Sequence, residues 1–253
     1  MTSVLSYDEI VERLRIIKGM NYVKTHRAGD AGIGKTLEDL LGITENNVPG
    51  PNGEMVELKS ARKNTKSMLS LFTKSPDPPK ANSILLERFG YPLRHGKGLH
   101  TTVNAISYNT LKGRIGFKID IKQDQIELVS PVGRVFSLLN FVSGKKEEES
   151  KEILGYWTKE TLKQRFEEKM PRLLYVKADC QGNGTDEEFW YNEAWLLSGF
   201  DFDNFLDQLQ EGTILVDIRI GQYSDGRPHN HGTGFRVLPD KLDLCFEGRF
   251  QIM

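Results

Sequence analysis

The order of short strand-like and helix-like segments constrains the fold of this chain most. Strand-like segments lie among amphipathic helical segments without a regular repeat. Examples are GEMVELKS (53–60), which alternates around Val56 and Leu58, and RLLYVKADC (172–180). A regular strand–helix–strand repeat would indicate a doubly wound parallel sheet, whereas an irregular order is typical of an α+β or mixed sheet. We therefore predict an α+β (mixed α/β) fold with a central mixed sheet flanked by helices.

Local signals place several of the elements. Ser6 is followed three residues later by Glu9, the pattern of a capping box, which predicts that the first helix begins directly after Ser6. Gly42 is a typical C-cap for a short helix over 35–41, and the turn of a hairpin is expected at 122–125. Further helices are expected at 81–90, 158–170 and 201–211, and further strands at 67–75, 187–197, 213–221 and 232–238.

Length and composition exclude several classes of protein. The 253 residues carry a formal net charge of -1, and no apolar run approaches the length of a membrane span. The N-terminus also lacks a basic segment followed by an apolar stretch, so we expect a soluble, cytoplasmic protein with no membrane contact. Cys180 and Cys245 are too isolated for a disulfide framework or a zinc site, and reduced thiols are expected.

The segment GDAGIGKT (29–36) fits the phosphate-loop pattern G-x-x-x-x-G-K-[ST]. A phosphate loop needs a buried strand before it, which should be a nearly continuous apolar run, and a helix after it. Here the preceding residues include Lys24, His26 and Arg27, and the following helix is short. This context disfavours a nucleotide-binding site.

Positive charge is concentrated in two loops. KSARKNTKS (59–67) and RIGQYSDGRPHNHGTGFR (219–236) are basic, whereas acidic residues gather at 145–152 and 201–211. One charge run is usually a solvated face, but two basic loops in a slightly acidic protein are less usual. The charged stretch 143–157 is expected to be the most weakly packed region, a surface excursion between lobes.

Glu57 and Lys59 flank Leu58 on a predicted strand, so their side chains emerge on one face, ~7 Å apart along the backbone. A carboxylate beside an ammonium can bind a divalent cation and polarise water, as phosphodiester hydrolysis requires. Glu38, on the preceding short helix, is placed to supply a third oxygen. A pair E-x-K taken alone is common, and it is more often a solvated strand pair.

Residues 26–75, HRAGDAGIGKTLEDLLGITENNVPGPNGEMVELKSARKNTKSMLSLFTKS, resemble the catalytic half of MvaI/BcnI-type restriction endonucleases. These are relatives of the repair nickase MutH within the PD-(D/E)XK nuclease superfamily. VDIRIGQYSDGRPHNHGTGFR (216–236) resembles the base-reading loop region of that family. The resemblance implies a PD-(D/E)XK nuclease core with a second, DNA-recognition lobe, and it makes the phosphate-loop match a coincidence.

Carried over from the family, the catalytic set is Glu38, Asn52, Glu57 and Lys59, with the first three as ligands of Mg²⁺. The family has Asp where this chain has Asn52, and an amide supplies a neutral oxygen where the metal needs charge. Three explanations stay open: an engineered substitution, a natural one with Glu54 standing in, or a naturally silenced nuclease. Ca²⁺ is expected to support binding without cleavage.

The basic loops supply the expected DNA contacts. Imidazole, guanidinium and phenol groups suit guanine and cytosine edges in the major groove. For His229 and His231, metal ligation and an ordinary surface role are the alternatives to base reading. The residues expected to contact DNA are Lys35, Arg62, Lys63, Lys66, Lys74, Arg219, Tyr223, Arg227, His229, His231 and Arg236.

The resemblance implies a monomeric type II restriction endonuclease that cleaves double-stranded DNA at a short pseudopalindromic CC-x-GG-like site. A catalytic lobe is expected over 1–153, with its core at about 20–150, and a recognition lobe over 154–253. A cognate DNA methyltransferase would protect host DNA. The alternatives are a MutH-like nickase of mismatch repair and a catalytically silent, sequence-specific DNA-binding protein.

Overall fold

A computed structural model describes residues 5–43, 56–94, 96–131, 151–170, 172–223, 225–230 and 232–253. Asn52, Glu54 and His231, which the sequence analysis singles out, lie outside the described residues. Within the described ranges, no helix is long and apolar enough to cross a membrane.

Helices and strands alternate irregularly along the chain, which confirms the predicted mixed α/β class. The helices are α1 (Tyr7–Gly19), α2 (Gly32–Leu41), α3 (Ala81–Phe89), α4 (Lys159–Lys169), α5 (Phe202–Gln210) and α6 (Leu242–Cys245). The first strands are β1 (Val23–Lys24), β2 (Glu57–Arg62), β3 (Leu69–Thr73), β4 (Tyr91–Leu93), β5 (Gly96–Val103), β6 (Thr110–Leu111), β7 (Arg114–Ile115), β8 (Lys118–Ile121) and β9 (Gln125–Pro131). The later strands are β10 (Lys151–Thr158), β11 (Leu173–Gln181), β12 (Glu188–Ser198), β13 (Ile214–Gln222), β14 (Pro228–Asn230), β15 (Gly234–Val237) and β16 (Gly248–Gln251).

The first of two compact units is built on a mixed sheet. Its strands follow the order β1-β12-β11-β2, and β16 pairs with β12. The pair β2–β11 is parallel, whereas β11–β12, β1–β12 and β12–β16 are antiparallel. Helices α1 and α2 cover one face of this sheet, where apolar residues of both helices pack with Leu58 and Leu174.

The two covering helices begin and end at identifiable residues. Ser6 and Glu9 form the predicted capping box, and Gly42 ends α2 with a φ of 72°. Helix α2 begins at Gly32, earlier than the predicted residue 35, because its glycines belong to the helix. A Cβ at Gly32 would lie 2.2 Å from the carbonyl oxygen of Arg27, so only glycine fits this entry into the helix.

The second unit contains two larger antiparallel sheets, the small hairpin β6–β7 and an aromatic core. One sheet has the order β3-β15-β13-β5-β4, with β14 on β13, and the other has the order β10-β9-β8. The ring of Phe235 stacks on Phe72 at 4.9 Å and meets Trp157 edge-on at 5.6 Å. The predicted hairpin turn is present, where the N–H of Lys122 donates to the carbonyl of Gln125.

The expectation of a weakly packed stretch at 143–157 is wrong for its described part. Residues 151–158 form β10, which pairs with β9. Trp157 is fully buried, and its Nε1 donates to the carbonyl of Lys74 at 2.9 Å. The many charged residues around this segment obscured the strand pattern in the sequence, but Leu154 and Trp157 are buried.

The expected division at 153/154 differs from the observed one. The first unit combines Met1–Met68, Phe166–Asn204 and Leu238–Met253, and the second combines Leu69–Arg165 and Phe205–Val237. The reason is strand pairing, because β11 pairs in parallel with β2 and so brings a late segment into the first unit. In the second unit, β13 likewise pairs with the early strand β5.

Candidate active site

The candidate active site begins with the position of β2 in the sheet. Glu57 is opposite Leu173 and Lys59 is opposite Tyr175 in the parallel ladder with β11. The N–H of Glu57 donates to the carbonyl of Arg172 at 2.8 Å, which fixes the start of the strand. Because side chains alternate along a strand, Glu57 and Lys59 share the face opposite to Leu58, which packs in the core with α1 and α2.

Glu57 and Lys59 form a close pair in a buried setting. Lys59 Nζ donates to Glu57 Oε1 at 2.7 Å, and only 3% of Glu57 is exposed. The interpretation as a solvated strand pair is therefore wrong. Glu57 Oε2 is also buried and has no hydrogen-bond partner. Lys169, at the end of α4, places its Nζ 3.7 Å from that oxygen.

This arrangement fits a hard divalent cation. A buried carboxylate oxygen without a hydrogen-bond donor is costly unless a cation balances it, and Mg²⁺ and Ca²⁺ prefer such oxygen ligands. Among the described residues, no group of three or more His, Cys, Asp or Glu side chains is close enough to hold a metal. Glu57 is therefore the candidate metal ligand among the described residues, and position 52 lies outside them.

Glu38 lies on α2, the helix that packs against β2. A Cβ at Gly34, one turn before Glu38, would lie 3.8 Å from Ser60 Oγ, so helix and strand approach closely here. Ser60 belongs to the face of β2 opposite to Glu57 and Lys59. Glu38 itself is half-buried.

Lys35 is engaged within its own helix. Its Nζ lies 2.9 Å from Asp39 Oδ1, and the Nδ1 atom of His26 lies 2.9 Å from Asp39 Oδ2. Hydrogen bonds from His26 and Lys35 hold the pKa of the Asp39 carboxyl below its usual value. The segment before α2 contains only the two-residue strand β1, which is antiparallel to β12. The context that a phosphate loop requires is therefore missing from the described residues.

Some basic residues of the first basic loop (59–67) form ion pairs with carboxylates of the protein. Arg62 donates to both oxygens of Glu187, at 2.6 and 2.8 Å, and its guanidinium lies over the ring of Phe189. The hydrogen bonds to Glu187 raise the pKa of Arg62. Lys63 Nζ lies 3.3 Å from Asp179 Oδ2. Lys66 is exposed and Lys74 is half-buried in the second unit, so of these cations Lys66 is the most accessible to a DNA phosphate.

The second basic cluster is organised by a carboxylate that the sequence analysis did not select. Asp217 on β13 is only 1% exposed. Its Oδ2 accepts a hydrogen bond from Arg219 Nε at 2.7 Å and lies 3.0 Å from Arg236 Nη1, while Thr102 Oγ1 donates to Oδ1 at 3.2 Å. Burial lowers the pKa of Arg236, and the Asp217 charge opposes that shift. The signal in the sequence was the alternation Asp217-Ile218-Arg219, which puts both charges on one face.

The hairpin β13–β14 carries the remaining candidates. The rings of Tyr223 and His229 stack at 4.3 Å, and the guanidinium of Arg227 lies 5.8 Å from the Tyr223 ring. Arg227 Nε also donates to Asp225 Oδ2 at 2.7 Å. Tyr223 is 48% exposed, so this stack presents aromatic and cationic groups to solvent.

Comparison with known proteins places this fold among the restriction endonucleases. The chain belongs to the MvaI/BcnI restriction endonuclease family, whose model matches residues 11–246. This confirms the resemblance seen in residues 26–75 and 216–236. Comparison with curated proteins gave no match.

Two solved structures are similar over nearly the whole chain. The complex of the restriction endonuclease MvaI with its cognate DNA substrate has a TM-score of 0.82 and 29% identity, and the alignment covers 97% of this chain and 98% of that chain. MvaI in the absence of DNA has a TM-score of 0.55 and 28% identity, with 100% of both chains covered.

Proposed function

We propose that this protein is a type II restriction endonuclease that hydrolyses phosphodiesters of double-stranded DNA in the cytoplasm, with Mg²⁺ as its metal. The observation that carries the proposal is the buried carboxylate of Glu57, with Lys59 on one oxygen and no hydrogen bond on the other. A structural ion pair has no need to leave a buried carboxylate oxygen without a donor, whereas a metal ligand does.

Glu57 Oε2 would hold the divalent cation, with Glu38 and Asn52 as further ligands by family resemblance. A cation bound there supplies positive charge beside the scissile phosphate. Lys59 is fixed by its hydrogen bond to Glu57, and an ammonium has three N–H donors. The donors that remain can orient the attacking water or contact a non-bridging phosphate oxygen.

The second unit would read the DNA sequence. Asp217 holds Arg219 through Nε, which leaves the two Nη groups of Arg219 available for a guanine edge. The exposed stack of Tyr223 and His229 with Arg227 lies on the next turn of the same hairpin. We infer a pseudopalindromic CC-x-GG-like site, monomeric action and protection of host DNA by a cognate methyltransferase. The first unit, with Glu57, would be the catalytic lobe.

Asn52 would limit the rate of cleavage. Where the family has an aspartate, the amide removes one formal negative charge from the ligands of the cation. DNA recognition depends on residues of the second unit, so the substitution should leave specific binding intact. We therefore propose a catalytically impaired nuclease that binds its site in Mg²⁺ or Ca²⁺.

The test is digestion of a supercoiled plasmid with mapped CC-x-GG sites by this protein and its Asn52→Asp variant, side by side in Mg²⁺. Linear fragments that end at those sites, produced faster by Asn52→Asp, are the expected result. Nicked circles alone, without linear product, would favour a MutH-like nickase. Specific binding without cleavage by either protein would favour a silent DNA-binding protein. Absence of both binding and cleavage would refute the proposal.

A further inference from the structure

Two lysines contact the two oxygens of one buried carboxylate. Lys59 Nζ lies 2.7 Å from Glu57 Oε1, and Lys169 Nζ lies 3.7 Å from Glu57 Oε2. The distance for Lys169 is that of an ion pair without a hydrogen bond, and Glu57 Oε2 accordingly has no hydrogen-bond partner. The side chain of Lys169 is only 19% exposed, so its ammonium faces the protein rather than solvent.

The fold fixes Lys169 in this position. Lys169 is the last residue of α4, and the N–H of Met170 donates to the carbonyl of Phe166, which closes the last turn. Strand β11 begins at Leu173, directly opposite Glu57 in the ladder. The short connection between α4 and β11 therefore holds Lys169 at the end of β2 where Glu57 lies.

Two ammonium groups lie beside one carboxylate. Glu57 carries one negative charge, and Lys59 and Lys169, which contact its two oxygens, carry one positive charge each. Lys59 alone is enough to neutralise the carboxylate. A divalent cation at Glu57 Oε2 would meet the Lys169 ammonium at close range, where repulsion between like charges is substantial even when water screens it.

We propose that Lys169 occupies the cation position at Glu57 Oε2 in the metal-free protein and must leave it when a divalent cation binds. This inference rests on the proposed function, since it assumes that Glu57 is a metal ligand. The ammonium stabilises the buried carboxylate in the absence of metal, and it competes with the metal for the same oxygen. Lys169 thus lowers the affinity of the DNA-free protein for divalent cations.

The experiment is a calorimetric titration of the DNA-free protein with Ca²⁺. The parent is compared with Lys169→Met and Lys169→Gln, and Glu57→Gln in each background identifies the Ca²⁺ that binds at this site. Both substitutions of Lys169 are expected to tighten Glu57-dependent binding by roughly fivefold or more, the factor for the repulsion of one nearby charge. Lys169→Arg, which keeps the charge, should bind Ca²⁺ as weakly as the parent.

Lys163→Met is the matched control, because it removes one charge from the exposed side of the same helix. An equal gain in Ca²⁺ affinity in Lys163→Met would show that the effect comes from the net charge of the protein, and it would overturn the inference. Unchanged affinity in both Lys169→Met and Lys169→Gln, with thermal unfolding like that of the parent, would overturn it too. If no variant shows Glu57-dependent Ca²⁺ binding, both the metal site at Glu57 and this inference are refuted. Plasmid digestion tests the proposed nuclease activity independently.

Discussion

Arg219 and Arg236 share one carboxylate, that of Asp217, although they come from two strands, β13 and β15. Arg219 Nε and Arg236 Nη1 lie 2.7 and 3.0 Å from the same oxygen, Oδ2, and the carboxylate is almost fully buried. A buried carboxylate between two guanidinium groups fixes their orientation and compensates part of their positive charge. The candidate reading surface is therefore held by a residue that need not touch DNA.

Asp217→Asn should destabilise the second unit and weaken recognition together. Without the negative charge, Arg236, whose side chain is 22% exposed, is left beside Arg219 with no counter-ion at this oxygen. We expect a loss of about 2 kcal/mol or more in the free energy of unfolding, measured in urea. Asp225→Asn, which removes a more exposed partner of Arg227, should change it little. Equal effects of the two variants would contradict the structural role of Asp217.

Arg219→Ala should relax discrimination between cognate and single-mismatch DNA by ~1–3 kcal/mol, since a good base contact contributes that amount. Lys66→Ala should weaken binding to cognate and random DNA alike and reduce the salt dependence by about one counterion. Lys66 is the better probe than Lys63, which is paired with Asp179. Fluorescence anisotropy over a range of salt separates the two behaviours. Loss of affinity for both DNAs in Arg219→Ala would disprove its assignment to base reading.

Asn52→Asp should raise the rate of cleavage by ~10²-fold or more, the scale on which electrostatic groups at a reacting centre act. The gain should disappear when Glu57→Ala or Lys59→Ala is added, because these side chains form the described pair of the site. Single-turnover cleavage of a cognate duplex measures all four proteins. Rapid cleavage by the parent, unchanged in Asn52→Asp, would point to Glu54 as the acidic ligand instead.

The ion pair Arg62–Glu187 predicts a pH dependence of stability. Hydrogen bonds from Arg62 lower the pKa of Glu187, so its stabilisation is present above the unfolded-state pKa and is lost as pH falls through the folded-state pKa. Glu187→Gln should lower the free energy of unfolding by about 2 kcal/mol near pH 7 and by less at acid pH. The exposed pair of Asp186 with Lys24 supplies the control, and Asp186→Asn should have little effect at either pH. A pH-independent difference for Glu187→Gln would exclude the charge as its cause.

Features with local causes were predictable from the sequence. The capping box of Ser6 with Glu9, the C-cap at Gly42 and the turn at 122–125 depend on residues a few positions apart. The pairing of Glu57 with Lys59 followed from the alternation of side chains on a strand. For the same reason the family could be recognised from continuous segments.

Features that depend on distant pairing were not predictable. Lys169 is far from Glu57 in sequence, and only the connection from α4 to β11 brings them together. Arg236 meets Asp217 because β15 pairs with β13, which the sequence pattern does not specify. The division into two compact units depends on the same distant pairings. Strand partners are chosen by the whole fold, whereas helix caps and turns are chosen locally.

The parallel pairing of β2 with β11 also sets the order in which the site can be assembled during synthesis. Among the described residues, β11 is the only strand paired with β2, and it leaves the ribosome long after Glu57 and Lys59. A nascent chain that ends before Leu173 has the two residues but lacks the neighbouring strand that holds them. Such non-local pairing forms late in folding. An incomplete chain therefore lacks the arrangement of Glu57 and Lys59 on which the proposed cleavage of DNA depends.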